Sequence, residues 1–141
     1  PLPPPTGDIR RDCLQWSETL LKVLPSYDAF YIHIKGPDEP GHDGDAELKA
    51  WMISQIDRYF LGTLLQGIDK RDYIICVTAD HSTPCALRSH SDDPVPLLIS
   101  GDGVEADEIQ VFSEKECRRG RLGIIPHGYE LMPRLMALLK K

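Results

Sequence analysis

This chain of 141 residues has no CxxC pair, no apolar run long enough to cross a membrane and no extended basic stretch. Each absence narrows the classes of function. Its four cysteines, Cys13, Cys76, Cys85 and Cys117, are scattered, and no charged-then-apolar leader stands ahead of them; a reducing cytoplasm is the expected compartment. The longest apolar runs, 73–78 and 95–99, fall far short of the ~20 residues that a membrane helix needs, so no membrane partner is expected. Sixteen Lys and Arg against 22 Asp and Glu leave a formal net charge of -6, which argues against nucleic acid as a partner. Apolar and charged shares of 41% and 27% are those of an ordinary folded protein, and the length suits one core.

What is present reads as alternating helices and strands. The opening Pro1-Leu2-Pro3-Pro4-Pro5 cannot donate from its prolines and favours an extended conformation, so residues 1–6 read as an arm or linker. Thr6 or Asp8 can cap a helix whose apolar residues Ile9, Cys13, Leu14, Leu20, Leu21 and Leu24 recur at helical spacing until Pro25 stops it. Residues 29–34 (AFYIHI) and 73–78 (YIICVT) are nearly continuous apolar runs of strand-forming types, and 95–100 (VPLLIS) is a third, with Pro96 at an edge or bulge. Between the first two runs, Asp45 opens a helical pattern carrying Leu48, Trp51, Met52, Ile56, Tyr59, Phe60 and Leu64 and ending near Gly67. A helix between two strands predicts parallel pairing through a right-handed crossover. A short amphipathic piece near 113–118 and a closing helix over 129–139, interrupted at or starting near Pro133, complete the pattern. The expected fold class is α/β, a mostly parallel sheet flanked by helices, over residues 7–141.

Ligands in open parallel sheets bind beyond the carboxyl ends of the strands, where loops vary while the sheet holds them. Two loops qualify: 37–45, with Asp38, His42, Asp43 and Asp45, and 80–84, with Asp80 and His81, followed by Ser89-His90-Ser91-Asp92-Asp93. Imidazole and carboxylate together hold zinc, manganese or iron, and two such clusters could hold a pair of ions. Spacing alone leaves the plainer alternative open, in which Asp38 starts a turn, Asp80 caps a strand end, and His81 and His90 are polar loop residues.

The strings KGPDEPGHDGD (35–45), TADHSTPCALRSHSDDPVPLLISGDG (78–103) and FSEKECRRGRLG (112–123) resemble the cofactor-independent phosphoglycerate mutases of the archaeal type, a family of the alkaline phosphatase superfamily. The resemblance runs from about Thr6 to the end of the chain. It implies an alkaline phosphatase-like fold and two divalent metal ions, manganese or zinc. Asp38, His42 and His90 match one metal site of the family, and Asp80 and His81 match part of the second. It also implies a reaction in which a phosphoryl group passes from phosphoglycerate to a serine and returns to the neighbouring hydroxyl. The family's nucleophilic serine, a further metal-binding aspartate and an arginine-rich substrate-gripping domain have no counterpart in these 141 residues. The expectation is therefore the C-terminal part of a mutase interconverting 2- and 3-phosphoglycerate in glycolysis and gluconeogenesis. The missing N-terminal portion is its expected partner, the chain alone is expected to be inactive, and an oligomer is possible. The alternatives are a related metal-dependent phosphohydrolase or phosphotransferase, and a non-catalytic metal-binding module.

Other residues have simpler readings beside their functional ones. Lys35 could stabilise a transferring phosphate and so bind substrate, or be a solvated strand end. His33 reads as a packed, hydrogen-bonded histidine, Cys85 as a small buried hydrophobe and Asp45 as a helix cap. Arg118, Arg119 and Arg121 could grip phosphate, though such a cluster beside Gly120 is more commonly a solvated turn.

Overall fold

Helix α1, Ile9–Val23, begins where Asp8 accepts the backbone N–H groups of Arg10 and Arg11 at 3.1 and 3.2 Å, satisfying two donors that the first turn cannot pair internally. In the computed structural model, which describes residues 2–139, this cap falls to Asp8; Thr6 instead donates its N–H and hydroxyl to Asp12. Asp12 is buried on α1, and these bonds satisfy its carboxylate. Trp16 Nε1 donates to the Pro3 carbonyl at 2.8 Å and Leu2 packs on the core, so the described part of the N-terminal arm lies against α1. Pro1, part of the expected arm, falls outside the described residues.

Cys13, Trp16 and Leu20 form a buried stripe on α1 at i, i+3, i+7 spacing, and they meet Phe60 and Leu64 from the second helical segment. That segment begins with α2, Asp38–Asp43, a short helix where the sequence reads a loop, which ends at Gly44 with a φ of 78°, a left-handed conformation that glycine adopts without a Cβ penalty. Asp45 then caps α3, Ala46–Gln55, accepting Leu48 N–H, as the sequence predicts. The helical path continues through a π-turn at Ile56–Leu61 into α4, Gly62–Gly67. The π-turn went unanticipated; the hydroxyl of fully buried Ser17 donates to the Phe60 carbonyl inside it. Wider turns of this kind re-aim side chains within a helix.

Burial pushes the Cys13 thiol up to about 11, with the Asp12 carboxylate adding to the shift. A raised thiol pKa favours the neutral form, so its contribution to stability is complete below the ordinary thiol range and is lost as pH rises through about 11. Iodoacetamide at pH 8 is therefore expected to spare Cys13 in the native chain and modify it only in denaturant, as mass spectrometry of digests would show. Equal labelling in both states would contradict this burial.

The sheet departs from expectation. Strand β1, Ile75–Val77, pairs antiparallel with β2, Leu98–Ser100, in the register Ile75 with Ser100, Cys76 with Ile99 and Val77 with Leu98. No parallel ladder occurs among the described residues, and residues 29–34 form no strand, so the predicted βαβ unit and mostly parallel sheet are not what these residues build. The reason lies in how 29–34 is used. Ile32 and Ile34 pack on the helical core while Tyr31, His33 and Lys35 are exposed, a half-buried alternation and not the doubly covered pattern of a central strand. Pro96 precedes β2, and its carbonyl accepts the Thr78 hydroxyl at 2.9 Å.

The described residues divide into two compact units. Those up to Ile68 together with Thr83–His90 form one, and Asp69–Ser82 with those from Ser91 onward form the other. The second unit also holds α5, Glu114–Cys117, capped by Ser113, and α6, Leu131–Leu138, entered through a 3-10 turn at Gly128–Glu130. Both lie where the sequence places helical pieces. No helix among the described residues is long and apolar enough to cross a membrane.

Candidate metal centre

Asp38 opens α2 and His42 follows one turn later, so their i, i+4 spacing sets both side chains on one face of the helix. His90 ends the Thr83–His90 segment of the same unit. The Nε2 atoms of His42 and His90 each lie 3.5 Å from Asp38 Oδ1 and 3.1 Å from each other. Among the described residues, these three form the group in which one ligand atom from each residue lies within 4.8 Å of the others.

The ligand atoms are held from behind. His42 Nδ1 lies 3.2 Å from the Arg88 carbonyl; a carbonyl only accepts, so this contact suits the tautomer with its proton on Nδ1, the one that offers Nε2 to an ion. Arg88 presents that carbonyl from a left-handed backbone with φ 53°, rare for a residue with a side chain, and its N–H and that of Leu87 both donate to the Pro84 carbonyl. On the other ligand, the Thr83 hydroxyl donates to Asp38 Oδ1 at 2.8 Å. The imidazoles are 43% and 52% exposed and Asp38 only 17%, so the cluster is anchored on one side and open to solvent on the other. Two neutral imidazoles and one carboxylate suit zinc, manganese or iron, and three protein ligands with an open side leave room for a substrate oxygen.

Asp80 and His81 follow β1 in the other unit. The His81 N–H donates to Asp80 Oδ1 at 3.2 Å, and His81 Nε2 lies 3.6 Å from Asp80 Oδ2. The structure thus brings Asp38, His42 and His90 into one cluster and makes Asp80 and His81 a sequence-adjacent pair. Lys35 is exposed, and its carbonyl accepts Asp38 N–H at 3.1 Å in the turn that leads into α2. His33 is exposed, against the expectation of a packed histidine, because the segment 29–34 buries its other side. Cys85 is half-buried, with its Sγ 4.0 Å from the Pro40 carbonyl. Asp93 accepts the Ser91 hydroxyl at 2.7 Å.

The arginine cluster is engaged in local structure. Arg119 pairs with Glu116 and Arg121 with Glu105, while the Arg121 and Ile109 N–H groups donate to the Asp107 carboxylate and hold it below the usual carboxylate range. The turn reading fits these contacts better than phosphate binding. The residues that sequence reasoning overlooked are Thr83, the Arg88 carbonyl and Lys49, whose Nζ donates to the Thr83 carbonyl at 2.6 Å. Thr83 stands two residues after His81 in the same string, but its residue type is not a metal ligand, and a backbone carbonyl leaves no trace in residue type.

The family model of the Metalloenzyme superfamily matches residues 5–133. The chain is 42% identical over 136 residues to the 2,3-bisphosphoglycerate-independent phosphoglycerate mutase of Thermococcus kodakarensis, covering 96% of this chain and 33% of that protein. The Pyrococcus furiosus protein of the same name is 40% identical over the same shares, and that of Aeropyrum pernix is 43% identical over 84% of this chain and 28% of its own. The solved structure of the PH0037 protein from Pyrococcus horikoshii superposes with a TM-score of 0.87 at 39% identity, over 91% of this chain and 38% of that one. The chain spans about a third of the length of the curated relatives it matches. With the family model extending across nearly all of it, this chain belongs to the Metalloenzyme superfamily.

Proposed function

We propose that this chain supplies part of a divalent-metal-dependent phosphoglycerate mutase, interconverting 2- and 3-phosphoglycerate in the cytoplasm, with manganese or zinc as the metal. The observation that carries the reading is the convergence of Asp38, His42 and His90 in a chain 38% to 43% identical to proteins of that name. Asp38 contributes the negative charge of the ligand set, and His42 and His90 contribute nitrogen donors with a solvent-exposed side. When bound, a divalent ion supplies Lewis acidity that neutralises phosphoryl oxygens and lowers the pKa of an oxygen nucleophile. Asp80 and His81 are assigned to a second ion, and Lys35 to contact with the phosphate. The nucleophilic serine is assigned to no residue of this chain. Residues 7–141 are taken as one portion of an alkaline phosphatase-like domain, in which 29–34 gains ladder partners from the additional length that the relatives possess; a higher oligomer is compatible with this reading.

A chimera tests it. Residues 6–141 would replace the matching third of the Thermococcus kodakarensis mutase, and turnover would be followed in a coupled assay with 3-phosphoglycerate. The chimera is expected to be active, and the 141-residue chain alone is expected to show negligible turnover. A folded, metal-loaded chimera that cleaves other phosphate esters but leaves phosphoglycerate unchanged would replace the mutase reading with that of a related phosphohydrolase.

A further inference from the structure

Thr83 is 4% exposed, an unusual burial for a polar residue, and its hydroxyl, carbonyl and methyl group each have a close neighbour. Its hydroxyl donates to Asp38 Oδ1 at 2.8 Å, and its carbonyl accepts from Lys49 Nζ on α3 at 2.6 Å. Its methyl group and carbonyl sit against Gly41 of α2 so closely that a Cβ there would come 3.0 Å from Thr83 Cγ2 and 2.8 Å from Thr83 O. The residue is thus fixed from three sides, and what it presents to the cluster is one hydroxyl hydrogen.

We propose that Thr83 is a positioning residue for the Asp38, His42 and His90 site, locking Asp38 in the rotation that aims Oδ1 at the gap between the two imidazoles; this rests on the reading of that cluster as a metal centre. The argument is geometric. A carboxylate turns easily about its last torsion, and either oxygen can face a ligand position. Here the oxygen that accepts the Thr83 hydroxyl is also the one 3.5 Å from both Nε2 atoms. An ionised carboxylate oxygen has acceptor capacity for a hydroxyl hydrogen and an ion together, so the bond orients Asp38 without occupying its ligand role. A neutral hydroxyl also leaves the carboxylate's charge undiminished, which a lysine or arginine in the same place would not. The same arrangement holds His42 through the Arg88 carbonyl, so the segment Thr83–His90 orients two ligands and provides the third.

Alanine and serine at position 83 lose the same methyl group and differ only in the hydroxyl, so their comparison separates orientation from packing. Mn2+ or Zn2+ alone would be titrated calorimetrically into the metal-free 141-residue chain and its variants, with thermal melting of the metal-free proteins alongside. Thr83→Ser is expected to bind close to the wild type, and Thr83→Ala to bind about 10- to 100-fold more weakly, the usual loss when a group that orients a metal ligand is removed. Equal affinities of the serine and alanine variants would overturn the proposal. If Thr83→Ala does not fold, Thr83→Val, which keeps the side chain's size, takes its place against the wild type. Loss of the metal-free fold by both would show that Thr83 is structural and would also overturn the proposal. Failure of the underlying reading has a different signature: a wild-type chain that binds neither ion, or His42→Ala binding as the wild type does, removes the metal centre whatever position 83 does.

Discussion

Replacing His42 with alanine is expected to weaken binding of a divalent ion to this chain by more than about 100-fold, since losing a ligand atom costs more than losing a group that merely orients one. The geometry gives the reason. Asp38 and His90 would remain, but two ligands far apart in sequence leave an ion without the third protein bond that a three-ligand site with an open position requires. His42 also sits at the centre of the contacts, with Nε2 3.1 Å from the partner imidazole and Nδ1 held by the Arg88 carbonyl. The measurement is calorimetric titration of Mn2+ or Zn2+ into the metal-free chain. One ion is expected to bind more firmly than any second, because three ligand groups converge here whereas Asp80 and His81 form only a pair. Two equally tight sites, or an undiminished affinity in His42→Ala, would show that the ligands had been misassigned.

The ligand cluster was more legible in the sequence than the sheet, and for a physical reason. Asp38 and His42 stand out by residue type within one short segment, although that segment reads as a loop and instead forms the short helix α2, whose i, i+4 spacing puts both on one face. That His90 joins them depends on a long-range contact, which spacing could only suggest and the family resemblance supplied. The starts of α1 and α3 followed from caps visible in the sequence, Asp8 as one of two candidates before α1 and Asp45 before α3, whereas α2 was read as a loop. The strands did not follow, because a strand is defined by its partner. Residues 29–34 have the composition of a buried strand, yet Ile32 and Ile34 join the helical core and no ladder forms among the described residues. Residues 75–77 do pair, but with 98–100 and antiparallel. The π-turn at Ile56–Leu61 was illegible for another reason: its residues fit an ordinary helix, and what distinguishes it is the backbone's spacing around Phe60.

Phe60→Ala is expected to destabilise the unit that carries the cluster by about 3–5 kcal/mol, the usual cost of emptying a buried aromatic site. Phe60 is 7% exposed and is buried with Cys13, Trp16, Leu20 and Leu64, around which partly buried residues such as Ile32, Ile34 and Ile56 pack. Natural domains hold only about 5–15 kcal/mol of net stability, so the loss is a large fraction of the whole. The substitution also falls in the π-turn, whose carbonyl at this residue accepts the hydroxyl of buried Ser17, so any shift of the backbone there threatens that bond as well. Yet Phe60 is no ligand, and its effect on metal binding should pass only through folding. An ion that binds the folded form alone restores stability by mass action, by about 2.7 kcal/mol at a free concentration 100 times its dissociation constant. Thermal melts of Phe60→Ala are thus expected to show a large drop in the midpoint without metal and a partial recovery as Mn2+ or Zn2+ is added, while His42→Ala shows little recovery at any concentration tested. A Phe60→Ala midpoint indifferent to metal, in a chain whose wild type responds, would mean that the helical core and the Asp38, His42 and His90 cluster do not fold as one unit.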